Sequence, residues 1–404
     1  MADVVIMGAG PAGLTLGCYL AQADVPCLIL ERGHHPRPHV GESLMPASIR
    51  VLREIGFLPV MEAGHFPRSG GVVYHEKNGS SLPVAYGEFP QEGVDQPYTY
   101  HVDRAKFDML LMKHAESLGC RIVEGAAVRE VLFDEEDRAT GVRVSFGSHE
   151  AQVPARVVVD AGGRSTTLGR QLGLRGTHPS LDQFALHAWF TGVDRGEERT
   201  ARYTHVFLLP DVGGWAWMAC IDDSITSIGM VASRDAHHDA GVDVETFLAQ
   251  AIADHPALAS AMRNAVRIND LKGEVNYSYQ LDRVCGDGWL ALGDAAQFID
   301  PLFSSGVSVA MHGARFASER ILAAVESESF GRSTFEPYER RLKAGSSVMD
   351  EFVQLFYRRP AGFTQLLLSE VHRTGALQLL QGDVGPASRE ILAAFRSAVE
   401  STEG

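Results

Sequence analysis

The sequence predicts an α/β protein in which a Rossmann-like domain is interleaved with a sheet-rich lobe and followed by C-terminal helices. A glycine-rich junction between an apolar strand and a helix lies at the N-terminus, as in nucleotide-binding α/β domains. Residues 184–190 and 225–231 alternate in polarity, which predicts half-buried strands. Residues 348–356 carry apolar side chains at helical spacing, which predicts a helix with one face against a core.

The composition is that of a soluble globular enzyme, and it narrows the range of partners. With 51 acidic and 36 basic residues the net charge is −15, which argues against a nucleic-acid partner because phosphate binding needs a basic surface. The five cysteines are scattered without a C-x-x-C pair, so we expect buried thiols rather than a disulfide or metal framework. No apolar run reaches the ~18 residues of a membrane span, and the N-terminus shows no basic region or cleavage site. We therefore expect a cytoplasmic protein.

The N-terminal junction has the pattern of a dinucleotide site. The apolar run 4–6 predicts a buried parallel strand, followed by a G-x-G-x-x-G pattern and a helix from about residue 11 to 21. The second strand ends at an acidic residue 18 positions after the last glycine (31 − 13), close to the offset expected for a ribose-binding acid. The predicted site comprises Gly8, Gly10, Ala12, Gly13, Glu31 and Arg32. A tight turn without a ligand would not explain the acidic residue.

Two later segments predict which dinucleotide is bound. Residues 293–307 combine a strand end, an acidic turn, an Asp-Pro break and a helix start with free backbone N–H groups. Asp294 is placed to accept a hydrogen bond from a sugar-like hydroxyl, and the helix start suits the negative charge of a reduced flavin. Residues 156–165 run from a strand into a glycine turn that contains Asp160 and Gly162. Separated segments that meet at one cofactor favour FAD over a nicotinamide cofactor, which would leave Asp294 without a role.

Several motifs together resemble those of the flavin-dependent halogenases. The matching stretches are 41–46 (GESLMP), 100–108 (YHVDRAKFD), 293–307 and 382–384 (GDV). The turn after residue 160 is similar to that of FAD monooxygenases of the p-hydroxybenzoate hydroxylase type, the superfamily to which these halogenases belong. The chain is identified as a member of the phenol and pyrrole branch. The resemblance and the fingerprints imply an FAD site formed by Gly8, Gly10, Ala12, Gly13, Glu31, Arg32, Glu42, Ser43, Arg104, Val128, Asp160, Gly162, Gly293, Asp294, Pro301, Ser305, Gly306 and Val307.

Two departures from the halogenase pattern bear on the reaction. The family directs the halogenating species with a lysine in a segment F-x-x-K-x-G, and Ser69 stands at that position in residues 66–71 (FPRSGG). Arg68 is a poor substitute because guanidinium does not deprotonate, and Lys77 is out of register. The second halogenase motif, W-x-W-x-I-P, reads WAWMAC at 215–220. The catalytic candidates are therefore His101, from its motif, Ser69 and Trp217.

The motifs imply a chain that leaves the FAD-binding domain and returns to it twice. We expect residues 1–70, 98–180 and 276–330 to form that domain and residues 71–97 and 181–275 to form the substrate-binding lobe. Residues 331–404 should form a C-terminal helical region. No second glycine fingerprint follows a strand, so no dedicated nicotinamide domain is expected. Reduction of FAD by NAD(P)H directly and reduction through a partner flavin reductase are both open.

The resemblance and its departures favour oxygenation of an aromatic or related specialised metabolite through a flavin C4a-hydroperoxide. Halogenation with a non-standard directing residue is the first alternative, and an FAD dehydrogenase or reductase without oxygen insertion is the second. A flavoprotein that only binds is least favoured because the motifs are retained. The expected partner is a small-molecule substrate, either free or tethered to a carrier protein.

Overall fold

The computed structural model describes residues 2–88, 97–177, 182–275, 278–298, 300–382 and 386–400. The helices are α1 Pro11–Gln22, α2 Ser48–Glu54, α3 Leu58–Ala63, α4 Arg104–Ser117, α5 Thr167–Gln171, α6 Arg234–Ala240, α7 Val244–Ala253, α8 Pro256–Ala261, α9 Gly306–Ser327, α10 Arg332–Arg358, α11 Pro360–Leu368, α12 Arg373–Leu380 and α13 Pro386–Glu400. The strands are β1 Ala2–Met7, β2 Cys27–Glu31, β3 Arg68–Ser69, β4 Gly71–His75, β5 Ser81–Ala85, β6 Thr99–Tyr100, β7 Arg121–Glu124, β8 Ala126–Phe133, β9 Ala139–Phe146, β10 His149–Asp160, β11 Arg175–Thr177, β12 Gln183–Thr191, β13 Thr204–Leu209, β14 Gly214–Cys220, β15 Thr226–Ser233, β16 Val266–Arg267, β17 Lys272–Val275, β18 Tyr279–Leu281, β19 Cys285–Gly286, β20 Trp289–Ala291 and β21 Gln297–Phe298.

The first sheet has the strand order β19-β20-β10-β1-β2-β7, with β1 at its centre. Strands β10 and β2 both run parallel to β1, and helix α1 forms the connection from β1 to β2. The residues of β1 from 4 to 6 are fully buried, as predicted for a strand that is covered on both faces. Helices α4 and α9 pack against α1. The carboxyl ends of β1, β2, β10 and β20 therefore meet at one edge, where an α/β sheet binds its ligand.

The second sheet has the order β16-β12-β15-β14-β13-β4-β5, with β17 also paired to β12. Strands β4 and β5 come from residues 71–85, more than 100 positions before β13, to which β4 is paired in parallel. Alternate residues of β12–β15 point to opposite faces. One face packs on α7 and α8 through a core that contains Phe207 and Phe247. The other face is covered partly by the C-terminal helices.

The C-terminal helices close the second face of this sheet. The apolar stripe of α10 is buried, as predicted, and it packs against sheet residues such as Val206 and Trp215. An aromatic cluster joins the helices to the loop before α9, because Phe303 stacks on Phe352 with ring centroids 4.5 Å apart. Within the described ranges no helix is long and apolar enough to cross a bilayer. Of the predicted GDV motif, Asp383 and Val384 lie outside the described residues.

Candidate functional site

The three glycines of the N-terminal turn serve different purposes. Gly8 has a φ of +106°, and a Cβ there would lie 2.5 Å from the carbonyl oxygen of Ala161. A Cβ on Gly13 would overlap the carbonyl oxygen of Gly8, so this glycine lets α1 approach β1. A Cβ on Gly10 would meet nothing within 4 Å. Gly8 and Gly13 therefore shape the turn, whereas Gly10 leaves open space in front of the amino end of α1.

Two acidic side chains lie next to this turn. Glu31, at the end of β2, accepts hydrogen bonds of 2.8 Å from the backbone N–H groups of Ala9 and Gly33. Asp160, at the end of β10, accepts hydrogen bonds from Gly162 N at 3.0 Å and Leu168 N at 2.8 Å. Burial raises the pKa of Asp160 to about 6 despite these donors. Glu31 lines the neighbouring cavity, while Asp160 holds the glycine turn from behind.

A cavity of about 870 Å³ runs from the N-terminal turn to the inner face of the second sheet. Most of the predicted cofactor residues line it, namely Gly8, Gly10, Ala12, Glu31, Arg32, Glu42, Ser43, Arg104, Val128, Gly162, Asp294, Pro301, Ser305, Gly306 and Val307. Gly13, Asp160 and Gly293 do not line it and lie behind its wall, where they support the turns. A Cβ on Gly306 would meet nothing within 4 Å, as for Gly10. The cavity thus has a glycine facing open space at the amino end of each of two helices, which fits a pyrophosphate at one end and a flavin at the other.

The predicted flavin end contains two charged side chains, Asp294 and the buried Arg104. Asp294 is half-buried in the wall of the cavity, and desolvation raises its pKa to about 6 while Arg104 and Arg164 act to lower it. The Arg104 guanidinium is paired with Asp108 through bonds of 2.9 and 3.0 Å and also donates to the carbonyl oxygen of Val40. The pair makes Arg104 a fixed positive group beside the cavity. Asp294 lines the same cavity, and the positive charge of Arg104 favours its ionised form, which can accept a hydrogen bond from a sugar hydroxyl.

The loop before α9 is connected to the C-terminal helices by a chain of hydrogen bonds. The Trp215 indole N–H donates to the Tyr357 hydroxyl at 3.0 Å, and that hydroxyl donates to Asp300 Oδ2, also at 3.0 Å. Asp300 Oδ1 accepts from Leu302 N at 3.0 Å and so holds the turn that precedes α9. Tyr357 was not a predicted site residue, because nothing in the helical stripe of α10 marks it. Through these hydrogen bonds α10 positions the loop that lines the cavity.

The two tryptophans of the W-x-W segment lie on one face of β14, as alternation predicted. Both line the cavity. The Trp217 indole lies across Gly229 of β15, where a Cβ would overlap the ring, and its N–H donates to Ser227 Oγ at 3.3 Å. His187 of β12, another lining residue that was not predicted, has its ring centroid 6.3 Å from that of Trp217. Burial lowers the pKa of His187 to about 4, so this imidazole is uncharged at pH 7.

The residue at the lysine position of the halogenases points away from the cavity. Ser69 is fully buried in β3, donates its hydroxyl to the Gly71 carbonyl oxygen at 3.2 Å and does not line the cavity. Its neighbour Arg68 is ion-paired with Glu62, and Lys77 is ion-paired with Asp211 at the surface. The other lysines of the chain are Lys106, Lys113, Lys272 and Lys343. Among the described lining residues there is no lysine.

His101, the remaining catalytic candidate, also lies behind the cavity wall. It is fully buried, and its Nε2 is hydrogen-bonded to Thr204 Oγ1 at 2.8 Å. Thr204 is in turn 3.0 Å from Ser43 Oγ, and both of these hydroxyls line the cavity. Burial lowers the pKa of His101 to about 4. Sequence reasoning missed Thr204 because no motif marks it, and only the tertiary fold brings β13 to His101.

Comparison with known proteins identifies the family and the fold. The sequence model of the tryptophan halogenase family matches residues 90–361. A 1H-pyrrole-2-carbonyl-[peptidyl-carrier protein] chlorinase from Pseudomonas fluorescens is 38% identical, covering 99% of this chain and 94% of the relative. The corresponding brominase from Pseudoalteromonas luteoviolacea is 28% identical and covers 94% of this chain and 91% of the relative. A solved flavin-dependent brominase superposes with a TM-score of 0.89 at 27% identity, covering 100% of this chain and 99% of its own.

The comparisons give the family, the fold and the cofactor. The resemblance inferred from the motifs is confirmed, the Rossmann-like α/β fold is that of FAD-dependent halogenases, and the cofactor is FAD. The chain therefore belongs to the tryptophan halogenase family of flavin-dependent enzymes and is an FAD-dependent oxidoreductase.

Proposed function

We propose that the protein is an FAD-dependent monooxygenase that inserts oxygen into an electron-rich aromatic metabolite. The observation that carries this proposal is the absence of lysine from the described lining of the cavity, together with the buried, inward-bonded Ser69. A lysine is the group by which the related halogenases direct the halogenating species. Without an ammonium in the cavity, oxygen transfer directly to the substrate is the simpler chemistry. Bound FAD supplies the activation of dioxygen.

The residues of this chain would bind FAD, orient the substrate and enclose both in the cavity. Gly10 and the amino end of α1 take the pyrophosphate, and the amino end of α9 with Asp294 takes the flavin end. Direct transfer requires the substrate to reach the flavin without a dividing wall. The cavity is continuous from Gly306 to Trp217, so a small aromatic ring has room between them. The inner face of the second sheet forms the floor of this end, and exclusion of bulk water there would suppress wasteful release of oxidant.

The relatives supply a candidate for the substrate. The chlorinase and the brominase act on a pyrrole-2-carbonyl group held by a peptidyl-carrier protein. We therefore propose a five-membered heteroaromatic acyl group, tethered to a carrier protein, as the first substrate to test. We propose a separate flavin reductase as the first source of electrons to test, with direct reduction by NAD(P)H as the alternative, since no second glycine fingerprint follows a strand in the sequence.

Halogenation is the second candidate, and it is favoured by the 38% identity to a chlorinase over 99% of the chain. The retained Trp215 and Trp217 favour it as well. In this case a group other than lysine would direct the halogenating species. The two candidates differ in the atom that is transferred, so the product itself separates them.

The test is an incubation of the FAD-loaded enzyme with a flavin reductase, NADH, isotopically labelled dioxygen and pyrrole-2-carbonyl carrier protein. Mass spectrometry of the released acyl group is then compared with and without bromide. Incorporation of one labelled oxygen, independent of bromide, supports monooxygenation. A brominated product without labelled oxygen would overturn it in favour of halogenation. Loss of two hydrogens from the saturated pyrrolidine-2-carbonyl carrier protein, under anaerobic conditions with an artificial acceptor, would instead indicate a dehydrogenase.

A further inference from the structure

We propose that Ser43, Thr204 and His101 form a hydrogen-bond relay that binds the hydroxyl or N–H group of the aromatic substrate at the sheet end of the cavity. This inference rests on the proposed oxidation of an aromatic ring, and it adds a recognition site within the same cavity. The structure brings together three residues that are far apart in the chain. Two of them come from the motifs at 41–46 and 100–108, and the third opens strand β13.

The backbone explains why these side chains meet. Residues 42–44 pair antiparallel with residues 100–102, because Leu44 N donates to the Tyr100 carbonyl oxygen at 3.0 Å and Val102 N donates to the Glu42 carbonyl oxygen at 2.7 Å. Ser43 and His101 are therefore directly opposite each other in an isolated bridge. Side chains that oppose each other in an antiparallel pair project to the same face. The relay is thus fixed by two backbone hydrogen bonds rather than by flexible loops.

Two hydrogen bonds join the three side chains of the relay. Thr204 Oγ1 is 2.8 Å from His101 Nε2 and 3.0 Å from Ser43 Oγ, so the threonine hydroxyl joins a buried imidazole to a cavity-lining hydroxyl. With a pKa of about 4, only about one His101 ring in a thousand carries a second proton at pH 7. The imidazole therefore acts as a neutral partner that orients Thr204 and does not take the substrate's proton. His101 is a positioning residue, and the two hydroxyls form the contact surface.

The surroundings define the kind of group that the relay accepts. Ser43 and Thr204 also line an inner pocket of about 20 Å³, next to Val206, Leu302 and Ser304. Such a volume holds about one water molecule, so an aromatic ring must stay in the main cavity. None of the described residues that line the inner pocket is charged. The site therefore suits a neutral polar substituent, such as a phenolic hydroxyl or a pyrrole N–H, on a ring that packs against apolar side chains.

The test compares phenol with toluene, which has nearly the same shape but no hydroxyl. Binding of each probe to the FAD-loaded protein is measured by quenching of tryptophan fluorescence, since Trp215 and Trp217 line the cavity. The readout is the ratio of the toluene dissociation constant to the phenol dissociation constant. In Thr204→Val, which keeps the side-chain shape, we expect this ratio to fall about fivefold to tenfold, as for the loss of one hydrogen bond. Thr204→Ser should keep the wild-type ratio within about twofold.

Thr226 provides a matched control on the same sheet. It is a buried threonine whose Oγ1 has no hydrogen-bond partner among the described residues, so Thr226→Val should leave the ratio unchanged. An unchanged ratio in Thr204→Val, or an equal fall in Thr226→Val, would overturn the relay. Should Thr204→Val fail to fold by circular dichroism, Ser43→Ala, compared at wild-type FAD content because Ser43 is also a predicted cofactor residue, must lower the ratio in the same way or the proposal fails. Because no turnover is measured, these results are separate from those with labelled dioxygen, and either proposal can fail alone.

Discussion

Replacing Gly10 with alanine should weaken FAD binding without weakening the protein. The added Cβ would meet no protein atom within 4 Å, so it projects into the space in front of the amino end of α1. Gly10 has φ −90° and ψ −177°, a conformation that alanine adopts without strain. A substitution of this kind usually stabilises by about 0.4–1 kcal/mol, because it restricts the unfolded chain. We therefore expect the substitution to reduce the affinity for FAD and not the stability of the fold.

The size of that cost follows from the contacts that a methyl group would displace. A pyrophosphate at a helix start accepts charge-assisted hydrogen bonds, each worth about 1.5–3 kcal/mol. Loss of one such bond corresponds to a fall of about 10-fold to 100-fold in FAD affinity. Gly13→Ala is the contrasting variant, since its Cβ would overlap the carbonyl oxygen of Gly8. That variant should lose several kcal/mol of folding stability before any ligand is added.

The assay combines two measurements on each variant. Chemical denaturation of the FAD-free protein gives the free energy of unfolding, and titration with FAD, followed by quenching of flavin fluorescence, gives the dissociation constant. We expect Gly10→Ala to be at least as stable as the wild type and to bind FAD at least tenfold more weakly. Wild-type affinity in Gly10→Ala would refute the assignment of this turn to the pyrophosphate. A loss of stability in the FAD-free variant would refute the geometric argument.

Four further variants test other parts of the site. Ser69→Lys should lose on the order of 3 kcal/mol of folding stability, because it buries an unpaired ammonium. Strong bromination of phenols by this variant would contradict the finding that position 69 faces away from the cavity. Gly229→Ala should cost about 1–3 kcal/mol in chemical denaturation, because it displaces the Trp217 indole. Tyr357→Phe should cost about 1 kcal/mol and release FAD faster in stopped-flow dilution, and an unchanged release rate would argue against positioning of the loop by α10. The folded-state pKa of His187 lies below its ordinary value of 6.5. As the pH drops, the imidazole is therefore protonated in the unfolded chain before it is protonated in the folded protein. The free energy of unfolding falls as the pH drops below about 6.5. Between pH 7 and pH 5 the wild type should lose about 2 kcal/mol more than His187→Gln, and equal losses would show that burial does not perturb this ring.

Much of the fold followed from local sequence signals. Glycine spacing predicted the turn after β1, where Gly8 has a φ of +106°. The alternating polarity of β12 and β15 predicted strands because side chains on a pleated sheet repeat every two residues. Each of these signals is contained in a short stretch of chain. Local chemistry alone therefore specifies these elements.

The site was only partly visible in the sequence. Thr204 and Tyr357 carry no motif, and each acquires its role from a partner at least 57 positions away. The sequence also marked Asp160 and His101 without indicating that both lie behind the cavity wall. Whether a polar side chain lines a cavity or braces its wall depends on register and burial, which arise only when distant segments pack. The motifs thus indicated which segments of the chain lie near the cavity, but not which of their side chains line it.

The antiparallel pairing of residues 42–44 with residues 100–102 has a consequence for engineering. Each stretch donates one of the two backbone hydrogen bonds that join the pair. We therefore expect that the two stretches can be exchanged between relatives only together. A chimera that receives only one of them from a relative would mismatch Ser43 against its new neighbour. Both stretches, together with the first residue of β13, would have to be transplanted as a unit. Specificity in this protein is therefore expected to change in coordinated steps rather than by single substitutions.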